Sequence, residues 1–148
     1  MSVYVVRHGK AGHRSDWDGD DRERPLTTAG LRQAAALADR LAVEEVKTLW
    51  SSPYVRCVQT LAPLADRIGL LIASDDRLAE GASPGDTIEL IREAGDGAVL
   101  CTHGDVLTDT INTLLRRGTE LTTSPEWRKG SLWVLDDSSV AAEPPPDV

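Results

Sequence analysis

Along most of its 148 residues the chain alternates short, largely apolar runs with helix-patterned segments, and this alternation limits the fold more than any other feature. Residues 3–6, 46–50, 70–73, 98–102 and 131–135 read as short strands, several apolar enough to be buried on both faces. Between the first two, Leu31, Ala34, Ala35, Ala38, Leu41 and Ala42 recur at three- and four-residue spacing behind Thr28, a possible helix cap. Ser52 and Pro53 open a second helical segment that extends to about residue 68, with a kink or break expected at Pro63. Ser83 opens a third helix over 84–93, and a fourth is expected over 106–117. Strands and helices in this order predict a three-layer α/β/α sandwich around a mostly parallel central sheet with right-handed crossovers.

A single domain over residues 1–138 is expected, with 139–148, ending in AAEPPPDV, as a disordered tail too rich in proline and acid to pack. The formal charge of -8 excludes sequence-independent attraction to nucleic acid polymers or anionic membranes, so any anionic ligand needs a local cationic cluster. No long apolar run suggests a signal peptide or membrane span, and Cys57 and Cys101 form no CxxC motif. Cytoplasmic residence with reduced thiols is the expectation, and oligomeric state is not specified.

In a parallel sheet, ligands sit outside the carboxyl ends of the strands. Three such ends carry chemistry: Arg7-His8-Gly9, Ser51 to Arg56, and Thr102-His103-Gly104-Asp105. Of three histidines in the chain, His8 and His103 each precede a glycine at a strand end, where backbone can approach a ligand closely. Arg56 lies early in its helix and leans back toward the same crevice, so with Arg7 it makes an anion cradle. Two fixed cations beside a neutral imidazole suit phosphoryl transfer, which needs charge on the equatorial oxygens and an in-line nucleophile. Lys10, His13 and Arg14 read as loop charges at the edge of such a site. The run 16–21 lacks the glycine and glutamate positions of a calcium loop, the histidines lack zinc-ligand spacing, and Gly95-Asp96-Gly97 is followed by no GK[ST].

These residues resemble the histidine phosphatases, the phosphoglycerate mutase-like superfamily, through RHG at 7–9, LT..G..QA at 26–34, SSP..R..QT at 51–60, L.E at 78–80 and THGD at 102–105. The opening RHGKA and D..RPLT at 21–27 are most similar to the compact SixA-type branch and to phosphatase domains fused to some MutT-type Nudix hydrolases, although no Nudix box is present here. The resemblance implies a cofactor- and metal-independent phosphatase acting on a phosphorylated small molecule or phosphoprotein. It implies His8 as the phosphorylated nucleophile, with Arg7, Arg56 and His103 as the phosphate pocket and the Gly9 and Gly104 backbones beside the substrate. Glu80 aligns with the family's usual proton donor, and Asp105 is a second carboxylate that could act through water. The family's alternative donor follows the second histidine directly, where this chain has Gly104. A mutase, and a phospho-ligand binding module without turnover, are the rival readings.

Overall fold

The computed structural model describes residues 2–148. Its strands are β1 (Val3–Arg7), β2 (Thr48–Ser51), β3 (Ile72–Ser74), β4 (Ala98–Thr102), β5 (Glu120–Leu121), β6 (Leu132–Leu135) and β7 (Ser139–Glu143), and its helices are α1 (Thr28–Leu41), α2 (Val55–Ile68), α3 (Pro84–Ala94) and α4 (Gly104–Arg116). The strands form one seven-stranded sheet in the order β3-β2-β4-β1-β6-β7-β5. Strands β3, β2, β4 and β1 are parallel, while β6 pairs antiparallel with both β1 and β7.

Side chains alternate across β1 and β4, and both faces are covered. Tyr4, Val6, Val99 and Cys101 meet Leu37, Leu41, Cys57, Leu61 and Leu64 of α1 and α2. On the other face, Val5 meets Leu107 and Ile111 of α4, and Ala98 and Leu100 meet Leu90 of α3. Burial on both faces accounts for the unalternating apolar runs, and the three layers follow from it.

Local boundaries depart from the sequence expectation where side chains have other partners. Thr27 rather than Thr28 caps α1, its Oγ1 accepting from the Gly30 amide. Helix α2 begins at Val55, after Pro53: the Ser52 hydroxyl, 2.8 Å from His103 Nε2, accepts from the Tyr54 amide (3.3 Å) in a turn that precedes the helix. The helix also runs through Pro63 without a break, since a proline removes only one N–H from the ladder and the flanking apolar face is held by α1 and the sheet. Gly30 is indispensable here, because a Cβ on it would lie 2.1 Å from the Lys10 carbonyl oxygen.

Residues 139–143, expected in a disordered tail, are instead strand β7. It pairs with β6 from Leu135↔Val140 to Leu132↔Glu143, and the Glu143 carboxylate takes two hydrogen bonds from Arg40, at 2.8 and 2.7 Å. Val140, only 1% exposed, packs with Trp133, Leu107 and Ile111. The prolines that argue for a tail begin only at Pro144, after β7, and the acid Glu143 is neutralised by Arg40. No helix among the described residues is long and apolar enough to cross a membrane.

What the sheet does for the site is bring three strand ends together. β1, β4 and β2 are neighbours, with Arg7 in register with Thr102 and Ser51 with Cys101. Each chain segment leaving the sheet is tied to β4 by one more backbone bond, His8 N–H to Thr102 O (3.1 Å) and Ser52 N–H to Cys101 O (3.0 Å). If β7 is part of the core, Val140→Ala lowers the unfolding free energy by about 2 kcal/mol from lost methyls and a partial cavity. Urea titration reads this directly, and no change in midpoint would return residues 139–143 to a loose tail.

Candidate active site

His8 and His103 meet at the carboxyl ends of β1 and β4, ring centroids 5.4 Å apart and ring planes inclined at 69°. His8 is 5% exposed, and its Nδ1 lies 2.8 Å from the Gly9 carbonyl oxygen. A carbonyl only accepts, so Nδ1 carries the proton and donates, leaving Nε2 with its lone pair. The Gly9 amide donates to Thr60 Oγ1 (3.1 Å), which donates to the Arg56 carbonyl (2.7 Å), fixing the turn after β1 against α2. His103 Nε2 lies 2.8 Å from Ser52 Oγ, and the Tyr54 ring abuts it edge-on at 4.6 Å.

Arg7 and Arg56 flank these rings. Arg7 donates through Nη1 to the Trp127 carbonyl, and its guanidinium lies flat against Gly104, where a Cβ would come within 2.7 Å of Cζ. The second glycine therefore makes room for an arginine of this chain. Arg56, 2% exposed, donates through Nη1 to the Asp21 carbonyl (2.8 Å) and through Nη2 to Asp21 Oδ2 (3.0 Å). Nε of Arg7 and Nε of Arg56 are buried with no hydrogen-bond partner among the described residues. Both arginines line one cleft, where their guanidinium groups offer positive charge and N–H donors to an incoming oxyanion.

That cleft, about 540 Å³, is lined by Arg7, His8, Arg56, Glu80, His103 and Gly104 from the sequence expectation, together with Asp105 and Arg14. Glu80 is held by Arg14 (Oε1 to Nη2, 2.7 Å) and faces Arg56 Nη2 at 3.5 Å, while Asp105 Oδ2 accepts from the Gly81 amide (2.9 Å). Gly9 does not line it: its glycine character serves packing, since a Cβ would crowd Gln33 Oε1 and the Gly30 carbonyl oxygen, each 3.1 Å away. Arg24, Thr108, Asp109 and Lys129 also line the cleft without having been foreseen. Arg24 had a signal in its place beside Pro25 and Leu26, but Lys129 lies in a segment with no periodicity to place it.

Burial and the neighbouring cations shape the charges. Desolvation lowers the His8 pKa to about 3; the hydrogen bond to Gly9 opposes this, and the positive surroundings of His103, Arg56 and Arg7 add to it. The ring is thus neutral at pH 7. Burial lowers Arg7, partly offset by Asp105, and lowers Lys129, where Arg7, Arg24, Arg56 and Lys10 add to the effect. Burial would raise Asp21, but hydrogen bonds and charge from Arg24 and Arg56 bring it down to about 2. A chain with net charge -8 thus concentrates cations at one point.

A family model described as histidine phosphatase superfamily (branch 1) matches residues 3–94. The chain belongs to the histidine phosphatase superfamily. It is 39% identical over 158 aligned positions to an 8-oxo-(d)GTP phosphatase of Mycolicibacterium smegmatis, covering 99% of this chain and 49% of that protein. It is 37% identical over 84 positions to a probable phosphoglycerate mutase, GpmB, of Yersinia pestis, covering 54% of this chain and 38% of that one. The chain therefore spans about half the length, or less, of these curated relatives. Among solved structures, the putative phosphohistidine phosphatase SixA of Agrobacterium tumefaciens superposes with a TM-score of 0.74 at 23% identity, over 92% of this chain and 91% of that one. A protein histidine phosphatase SixA in complex with tungstate matches at 0.74 and 20% identity, over 97% and 94%. These likenesses show the phosphoglycerate mutase-like fold of a histidine phosphatase.

For the depressed His8 pKa, the folded state binds fewer protons than the unfolded state between about pH 3 and an ordinary histidine value near 6.5. The neutral ring's contribution is complete above pH 6.5 and is lost as pH falls through that window. His8→Asn, which does not titrate, should therefore show a shallower decline of unfolding free energy between pH 6.5 and 4, by up to ~1 kcal/mol per pH unit. Parallel curves for the two proteins would contradict a buried neutral His8.

Proposed function

We propose that the chain is a phosphatase that passes a phosphoryl group from a phosphomonoester, phosphoanhydride or phosphohistidine substrate to His8 Nε2 and then to water. The carrying observation is the 2.8 Å bond from His8 Nδ1 to the Gly9 carbonyl, which leaves Nε2 unprotonated beside two guanidinium groups with unpaired Nε–H. Arg7, Arg56 and His103 take the equatorial oxygens, and the Nε2 lone pair forms a bond to phosphorus as the bond to the leaving oxygen breaks. Once substrate has freed Glu80 from Arg14 and the carboxylate has taken up a proton from solvent, it protonates that oxygen, or Asp105 does so through water. A water molecule then attacks phosphorus and gives its proton to the carboxylate left behind, the P–N bond breaks, and Nε2 recovers its lone pair as phosphate leaves. The guanidinium groups supply the positive charge, and no cofactor is invoked.

The rest of the substrate has room in an adjoining cavity of about 670 Å³, which shares Arg7 and Lys129 with the cleft and adds Lys10, His13 and Arg128. Arg7, Lys10, Arg128 and Lys129 outnumber the Asp147 carboxylate in its lining, which favours substrates with further negative charge, in keeping with a relative named for an oxidised nucleoside triphosphate. A phosphoprotein substrate stays within the proposal, since Lys10 and His13 are exposed. The buried, unbridged Cys57 and Cys101 support residence in the cytoplasm. Hydrolysis is favoured over mutase action because residues 78–87, where a water-excluding lid would be inserted, hold only the end of a 3-10 turn and the start of α3.

Hydrolysis of p-nitrophenyl phosphate in EDTA tests the proposal. His8→Ala should lose at least about 10³-fold in kcat, and Arg7→Ala or Arg56→Ala about 10²- to 10³-fold, the scale of one oxyanion donor. Phosphate binding without turnover in the wild type would favour the binding module, and wild-type kinetics in His8→Ala would end the proposal.

A further inference from the structure

The D..RPLT segment at 21–27 has no role in the chemistry above, yet its first residue is the main partner of Arg56. Asp21 meets Arg56 twice, through its backbone carbonyl (2.8 Å) and through Oδ2 (3.0 Å). Its other carboxylate oxygen, Oδ1, accepts from Arg24 Nε at 2.9 Å. Arg24, 8% exposed, is itself anchored by donating to the Ala11 and Gly12 carbonyls at 2.8 and 3.1 Å. One carboxylate therefore separates two buried guanidinium groups and gives each a separate oxygen.

The backbone around Asp21 is built to hold it still. Residues Asp21–Glu23 form a 3-10 turn whose cap, Asp20, accepts from the Arg22 amide at 3.0 Å. Five residues on, the Leu26 amide donates to Gln59 Oε1 (2.8 Å), one turn beyond Arg56 on α2. The loop thus grips the helix that carries Arg56 at two points. With both terminal nitrogens of Arg56 taken by Asp21 and its Cζ 4.9 Å above the Tyr54 ring, the guanidinium plane is set before any ligand arrives.

Building on the phosphatase reading, we infer that Asp21 is a positioning residue: it orients Arg56 for the phosphoryl group and screens Arg56 from Arg24. Asp21 itself does not line the cleft. Removing its charge while keeping its shape would leave Arg56 and Arg24 as adjacent like charges, and Arg56 would swing toward Glu80, its other carboxylate neighbour at 3.5 Å. A misplacement of that order near a reacting centre costs about 10²-fold in rate.

A double-mutant cycle on p-nitrophenyl phosphate hydrolysis, using Asp21→Asn and Arg56→Ala, separates positioning from general support. Asp21→Asn alone should lower kcat/KM about 10- to 100-fold, weaken inhibition by tungstate in parallel, and be closer to wild type when replaced by Asp21→Glu. In the Arg56→Ala background the same change should have almost no further effect. An additive loss there, or wild-type kcat/KM in Asp21→Asn, overturns the inference and leaves the phosphatase reading intact. Unimpaired Arg56→Ala would instead remove Arg56 from the phosphate pocket and take the inference with it. Asp21→Ser serves the same cycle if circular dichroism shows Asp21→Asn unfolded.

Discussion

A neutral imidazole buried beside two guanidinium groups is unstable company for any further positive charge, and the architecture around His8 follows from that. Its Nδ1 proton is directed to the Gly9 carbonyl, so the ring presents Nε2 as a base-free lone pair without needing a carboxylate to orient it. The ring is anchored because Gly9 is anchored, by Thr60 to α2 and by the Thr102 carbonyl that receives the His8 amide. Burial and cationic neighbours both oppose protonation, so in the proposed mechanism the same surroundings that would hold a phosphoryl group also keep Nε2 free to attack it.

Cations concentrated in this way need counter-charges that can give way to a ligand. Asp21 and Glu80 fill that need differently. Asp21 is bound by two buried arginines and sits on a capped turn, a fixed arrangement. Glu80 is a third exposed, and its closest partner is Arg14, an exposed loop arginine that also reaches Asp21 at 3.3 Å. In the proposed mechanism the first carboxylate would hold the pocket's geometry, and the second would give way as substrate enters. The glycines complete the arrangement by subtraction: Gly104 leaves space for the Arg7 guanidinium, and Gly30 lets the loop carrying Asp21 lie on α1.

Much of this was legible in the sequence because the residues concerned sit at strand ends, where local pattern and position coincide. Arg7, His8, Arg56 and His103 follow apolar runs or a helix start, and the parallel sheet gathers them without further information. Lys129 was not legible, since an irregular segment brings it in and its neighbours come from long-range packing; Arg24 stands in D..RPLT, but nothing local shows that it faces the site. Residues 139–143 carry too few apolar positions to stand out against the proline and acid around them, and it is pairing with β6 that makes them a strand. A glycine after a strand-end histidine suits ligand approach and close packing equally, and at Gly9 the packing against Gln33 and Gly30 decides.

In the proposed mechanism phosphorus becomes bonded to His8, and rapid acid-free quenching during turnover followed by peptide mass spectrometry would trap that bond. An acid-labile phosphoryl adduct is expected on the peptide containing His8, absent from His8→Asn and decaying as phosphate appears. A competent enzyme that shows no such adduct, or carries it on another residue, does not use His8 as its nucleophile.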